Sequence, residues 1–344
     1  MTIETERRTF MQGAAAIAAA SASTLVAGSA NAQTSQSSGG TRMPYQAKPM
    51  SFDPKAINGI SEKVLVSHYQ NNYVGAVNRL NAIGTQLAEL DFAKAPNFVI
   101  NGLKREELVA ANSMILHEIY FDGLGGGSAV GGALKDAIAK DFGSLERWRA
   151  EFAAMGKAEG GGSGWVILSY SPRDKRLVNQ WAADHTHALA GGAPILALDM
   201  YEHAYHLDHG AAAGAYVDAF MDNIAWAGVY QRYQAAVHAA SEPFAAEADA
   251  LQGAIVLDVR RAGVFAQALS MIPDARWCDP VAVGTWGAEL PVNQPVVVYC
   301  VYGHEVGRST AMRLRAAGVD ARYLSRGIDG WVKAGRPVVD KPRG

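Results

Sequence analysis

From 61 to 90 the apolar side chains fall at helical spacing: Val64, Leu65, Val77, Leu80, Ile83 and Leu87, with His68 among them. Such a stripe predicts an amphipathic helix that buries one face. A second helical pattern runs from 106 to 121 and stops at the glycines of 123–127. Shorter helical patterns follow at 133–139 and 145–155. Then the texture changes. GSGWVILSY opens on a glycine turn and continues as a short β-rich run, RLVNQWAAD reads as its hairpin partner, and APILALD reads as a third strand. MYEHAYHLDH is predicted to begin a helix, and 215–236 to form another. The first part of the chain is therefore α+β, with helices first, then a small sheet, then helices.

The segment 241–249, SEPFAAEAD, reads as a boundary. Beyond it the chain alternates. AIVLDVR is a strand, GVFAQAL a helix, ARWCDP and QPVVVYC strands, GRSTAMRLRAAG a helix, DARYL a strand and IDGWVKAG a closing helix. That alternation predicts a compact α/β domain around a parallel sheet. A length of 344 residues is enough for two domains that each build a core. The expected division is 1–32 export signal, 33–50 linker, 51–240 first domain, 241–250 linker and 251–344 second domain.

Composition adds bounds. A net charge of −2 and 49% hydrophobic residues give no hint of nucleic acid as a partner. At the N-terminus, Arg7 and Arg8 precede an Ala-rich apolar run over 14–27 and the small residues Ala30-Asn31-Ala32. This reads as a twin-arginine type export signal, which predicts a periplasmic protein starting near Gln33. The apolar run is shorter than the roughly 18 residues a membrane span needs, so no stable membrane insertion is expected. The two cysteines, Cys278 and Cys300, do not make a disulfide scaffold.

Chemistry concentrates at 199–209, DMYEHAYHLDH, which carries three histidines, two aspartates and a glutamate. A histidine–carboxylate metal site needs side chains converging from separate elements. His68, His117, Asp199 and His203 are the candidates in the first domain. Asp199 and His203 are four apart and would share a face of one helical turn. Imidazoles with one carboxylate, and a position left for solvent, suit redox chemistry at Fe or Mn.

These residues resemble the iron/manganese superoxide dismutase family. The resemblance is carried by DMYEHAY, with Tyr201 where the family usually has Trp. It is also carried by SGW at 163–165, HEIYF at 117–121, and HY at 68–69 with LN at 80–81. It covers about residues 45–235. It implies His68, His117, Asp199 and His203 as ligands of one Fe or Mn per subunit, and ping-pong conversion of superoxide to O₂ and hydrogen peroxide. It also implies a homodimer in which Glu202 bridges to His203 of the partner subunit, with Tyr205 near the same interface. Tyr120 and Trp165 match aromatic positions lining the family's pocket. The family holds metal-bound solvent with a glutamine. Here His185 stands at the manganese-type position and Ser113 at the iron-type one, so His185 is the implied donor. The family's gateway tyrosine and histidine are replaced by Ala76 and Asn72, and Tyr73 is expected to refill part of that space as a catalytic side chain. GAAAGAY after the signature lacks the family's cation, which weakens steering of an anionic substrate.

In the second domain, VVVYC-VYGHE-VGRSTAMRLRAAG reads as strand, loop and helix, with Cys300 at the strand end. Backbone N–H groups in such a loop, and the helix start behind it, are expected to lower the Cys300 pKa and favour thiolate. With LDVR, IPDA, GIDGW and AGRPV, the stretch resembles the rhodanese family over about 250–340. The resemblance implies Cys300 as a catalytic nucleophile carrying sulfur as a persulfide. Glu305 stands five residues after the cysteine, where many rhodaneses have arginine, and a carboxylate there opposes anionic donors such as thiosulfate. Val306 excludes a cysteine phosphatase, which needs arginine at that position. Three readings stand: a metal-dependent superoxide dismutase with an appended rhodanese-like domain, a periplasmic sulfurtransferase on a metal-bearing dimer scaffold, or a pair of binding modules.

Overall fold

The computed structural model describes residues 43–342. The expected export signal and the first part of the linker lie outside the described residues. Residues 45–48 are not free linker: Asn81 bonds both backbone groups of Tyr45 through its amide, and Lys48 is held by Tyr73 and Tyr69 hydroxyls.

Ser61 caps α1 (Glu62–Ser67), its hydroxyl accepting from the Val64 N–H. The helix expected over 61–90 is not continuous. A π-helical segment, His68–Tyr73, separates α1 from α2 (Val74–Glu89). Within it the Asn71 side-chain amide donates to the Ser67 carbonyl at 2.9 Å. α3 (Asn97–Asp122) starts behind Pro96, well ahead of the expected position. The apolar stripe is blurred there by Gly102 and the charges of KREE. α4 (Gly132–Phe142) and α5 (Leu145–Ala158) follow.

The small sheet has β1 (Trp165–Ser171) between β2 (Arg176–Ala182) and β3 (Ala193–Asp199), all antiparallel. Every residue of β1 is buried. Its register puts Trp165 opposite Ala182 on one side and Asp199 on the other. Gly164, at φ +154°, is required: a Cβ there would stand 2.3 Å from the Ala182 carbonyl oxygen. Glu159, at the end of α5, is buried beside this turn, and burial pushes its carboxyl up to about 7 against the opposing Ala182 backbone N–H.

MYEHAYHLDH does not begin a long helix. A 3₁₀ turn, Glu202–Ala204, leads to a single turn, α6 (His206–His209). The expected 215–236 helix is two, α7 (Ala213–Asp222) and α8 (Trp226–Ser241). They part at Asn223, whose amide donates to Asn58 and whose carbonyl accepts from Gly125 and Gly126.

The second region runs β4 (Ala245–Ala246), β5 (Ile255–Asp258), α9 (Ala262–Gln267), β6 (Ser270–Met271), β7 (Arg276–Trp277), α10 (Val283–Trp286), β8 (Val296–Tyr299), α11 (Glu305–Ala316), β9 (Ala321–Leu324), α12 (Gly327–Lys333) and β10 (Val339–Asp340). A parallel sheet in the order β4-β9-β8-β5-β7 forms its centre, and β6 pairs with β10. The expected linker 241–250 therefore contributes an edge strand, with Ala245 opposite Tyr323.

The two regions pack on each other. Val306 touches the core of both. Tyr230 of α8 donates to Glu305 at 2.5 Å, Gln234 donates to the same carboxylate at 3.1 Å, and Arg261 pairs with Asp136 at 2.6 Å. Among the described residues, no helix is long and apolar enough to cross a membrane.

Candidate metal centre and cysteine loop

Four elements deliver one side chain each. His68 opens the π-helical segment, His117 lies on α3, Asp199 ends β3 and His203 sits in the 3₁₀ turn. One potential ligand atom from each lies within 4.8 Å of the others. Asp199 and His203 do not share a helix face, as their spacing suggested. Tyr201 between them is extended (φ −68°, ψ 144°), and the 3₁₀ turn after it swings the imidazole back.

Asp199 is fully buried and fixed on three sides. Its Oδ1 accepts from the Tyr201 backbone N–H at 2.8 Å, and its carbonyl accepts from the Tyr216 hydroxyl at 2.8 Å. Its Oδ2 faces the Nε2 atoms of His68 at 3.1 Å, His203 at 3.2 Å and His117 at 3.5 Å. His117 Nδ1 lies 2.6 Å from the Ser113 carbonyl, so that nitrogen carries the proton. Its Nε2 is then a bare lone pair, buried without a protein partner, and it points at a carboxylate lone pair. Two lone pairs at that distance repel unless a cation sits between them. Imidazole nitrogens with one carboxylate are the donor set that iron and manganese take, so the residues fit such an ion.

The charge states agree. Burial pushes His68 down, and burial pushes His117 down to about 3. Burial would raise Asp199, but the charge and hydrogen bond of His203, with the hydrogen bond of His68, hold it well below the usual carboxylate range. Neutral imidazole and ionised carboxylate are the forms that ligate.

His185 lies beside this cluster, its ring 6.1 Å from that of His117 and stacked on Tyr201 at 4.9 Å. The Trp165 indole N–H donates to its Nδ1 at 2.9 Å, which leaves the proton on Nε2. Burial lowers its pKa, so it is a neutral donor. Tyr73 is buried at the end of the π-helical segment. Its hydroxyl accepts from the Lys48 N–H and donates to Glu118 at 3.1 Å, and its ring lies against Tyr69 and Phe121. Tyr205 is buried against Tyr216. Asp208 accepts from the Ser61 N–H and hydroxyl at 2.6 and 2.7 Å, and His209 donates to Gly59 at 2.8 Å; both pin the loop to the start of α1.

Sequence reasoning gave no role to Tyr201, which stacks on both His185 and His203, or to Tyr216, which holds the Asp199 backbone. Tyr201 could have been flagged by its place inside the signature. Tyr216 could not, because a tyrosine on an apolar helix face reads as core.

Cys300 follows β8 and is nearly enclosed. Burial pushes its thiol up, and the backbone N–H groups of Gly307, His304, Tyr302 and Gly303 oppose that without overcoming it. The expectation of a depressed thiol is therefore corrected: the N–H cradle is present, but desolvation wins.

Residues 130–232 match the model of the family described as iron/manganese superoxide dismutases, C-terminal domain, and residues 244–334 match that of the rhodanese-like domain. A superoxide dismutase [Fe] of Cupriavidus metallidurans is 67% identical over 195 residues, covering 57% of this chain and 99% of that protein. A superoxide dismutase [Mn] of Halobacterium salinarum is 36% identical over 196 residues, covering 56% of this chain and 96% of that protein. A superoxide dismutase [Fe] of Aquifex pyrophilus is 34% identical over 194 residues, covering 54% and 90%.

Proposed function

Because the chain belongs to the iron/manganese superoxide dismutase family, with a rhodanese-like domain appended, we propose that it converts two superoxide ions and two protons to O₂ and hydrogen peroxide. The observation that carries this reading is the convergence of His68, His117, Asp199 and His203 on one point. Bound iron or manganese, alternating between two oxidation states, would take an electron from one superoxide and give it to the next. The chain's own residues do the rest. His117 is held in its ligating tautomer by the Ser113 carbonyl. Asp199 is locked by Tyr201 and Tyr216. His185, its tautomer set by Trp165, presents an Nε2–H donor for a proton-bearing solvent or product oxygen. The surrounding aromatic rings of Tyr120, Phe121, Trp165 and Tyr201 limit the water that reaches the cluster.

The test is metal analysis with a superoxide assay. The wild type is expected to hold near-stoichiometric Fe or Mn and to dismutate. His117→Ala should lose both by about tenfold or more, and His185→Leu should keep the metal while losing about tenfold in turnover. Metal bound in full by an inactive wild type would sink this reading. The homodimer through Glu202 and His203 belongs to the same proposal, supported by the exposure of Glu202 beside a partly open His203. Twin-arginine export to the periplasm rests on the Arg7-Arg8 pattern.

A second activity is favoured by the rhodanese-like match and by Cys300 lying under its N–H cradle. In that reading Cys300 is a reactive thiol able to carry sulfur.

A further inference from the structure

His185 is not carried by the sheet. β2 ends at Ala182, and His185 lies in the turn that follows. Several bonds of that turn are internal to it or to its own strand. Asp184 accepts from the Thr186 N–H and hydroxyl at 2.6 and 2.5 Å, the Ala183 N–H donates to His187 Nδ1 at 3.2 Å, and Gln180 of β2 donates to the His187 carbonyl at 3.0 Å. These shape the turn, but they do not fix where it stands against the metal centre. Contacts from outside do. The Trp165 indole N–H meets Nδ1 at 2.9 Å and sets the rotation of the ring in its own plane. The Tyr201 ring, within 13° of parallel, sets its tilt. Both act on the side chain. The Asn112 side-chain amide acts on the main chain, donating to the His185 carbonyl at 2.6 Å. Asn112 lies on α3, five residues before His117, or about 7.5 Å along the helix axis. One helix thus carries both a metal ligand and the anchor of the turn.

We propose that Asn112 is a positioning residue for the reaction: by holding the His185 carbonyl to α3, it fixes how closely the His185 imidazole stands to the metal centre. The inference rests on His185 being the donor of the proposed dismutation. A donor serves a reacting oxygen only at about 2.6–3.2 Å between heavy atoms. A turn residue untied from its anchor moves by about half an ångström or more, which is the whole of that window. The stack on Tyr201 does not prevent this, because one ring can slide over another without losing the contact. Loss of the Asn112 bond therefore weakens the donor while leaving the four ligands in place.

The test is a double-mutant cycle on the iron-loaded full chain, with Asn112→Leu, which fills the same space without an amide, His185→Leu, and the two combined. Asn112→Ala is the second variant, should leucine disturb the turn by its shape. Bound iron, melting temperature, the electron paramagnetic resonance of the ferric ion and turnover are read on each. Asn112→Leu should keep its iron, shift the ferric signal in the direction that His185→Leu shifts it, and lose about fivefold in turnover. Added to His185→Leu, it should cost less than about twofold more, because a residue acting through His185 has nothing left to act on. A loss as large in the His185→Leu background as in the wild type would make Asn112 a structural residue only. So would loss of iron from both Asn112 variants, or a ferric signal that neither of them moves. If His185→Leu itself leaves the ferric signal and turnover unchanged, the reading of His185 as donor falls and this inference with it. Should the wild type prove inactive, the ferric signal decides: a shift shared by Asn112→Leu and His185→Leu upholds the placement, and its absence overturns it.

Discussion

Asp199 shows how much one side chain can be asked to do. It ends a strand, ties down the turn after it, and faces three imidazoles with a single oxygen. Its role was legible in the sequence, because a carboxylate closing an apolar strand inside a histidine-rich stretch has few other uses. Tyr216 was not legible, since its work is done by one hydroxyl from within a core face. Glu159 is a second residue that spacing could not single out. A glutamate ionises near its usual 4.5 in the unfolded chain, but near 7 in this fold. Below 4.5 both states hold the proton and nothing is lost. As pH rises through this window the unfolded state releases its proton first, so folding stability falls, and it levels off above the folded value. Glu159→Gln should therefore change little at pH 4 and stabilise at pH 8 by about 1 kcal/mol, or about 2–4 °C in melting temperature. Equal melting shifts at both pH values would show that Glu159 ionises normally.

At the scale of elements, periodicity located the helices and strands but not their breaks. The apolar stripe of 61–90 continues across a π-helical segment that no spacing rule reveals, because its polar residues, Gln70, Asn71 and Asn72, interrupt nothing in the stripe. Asp199 and His203 met through an extended residue and a 3₁₀ turn, where their spacing suggested a helix. The π-helical segment also has a function in placement, since it sets the rotation of His68 relative to α2. Deleting Asn71 would let α1 run into α2 and turn His68 by about 100°. That deletion should lower bound metal about tenfold, read by metal analysis with circular dichroism confirming retained helix. Asn71→Ala, which keeps the residue count, should hold most of its metal. A deletion variant that binds metal in full would show that the segment is incidental.

At the scale of the whole molecule, the change from an α+β texture to strand–helix alternation beyond 241 was legible in the sequence. What crosses it was not, because Glu305 gives no sign in sequence of bonding to residues some seventy positions away. Tyr230, Gln234 and Asp136 of the first region each bond a residue of the second, and Val306 packs into both cores. The full chain should accordingly melt in one calorimetric transition. Combining Asp136→Ala, Tyr230→Phe and Gln234→Ala removes hydrogen bonds worth about 1 kcal/mol each, and should resolve that transition into two. Two transitions in the wild type would refute the coupling.

The seat of Glu305 on α8 also bears on how such a gene can change. A domain hung on a loose tether can be exchanged by recombination with nothing altered elsewhere. Here an incoming replacement would have to bring a carboxylate directly after its loop, to meet a tyrosine and a glutamine one helical turn apart on a helix that β3 already constrains from its other side. Exchanging the second half alone for one without that carboxylate would leave the Tyr230 hydroxyl and the Gln234 amide without the group they donate to.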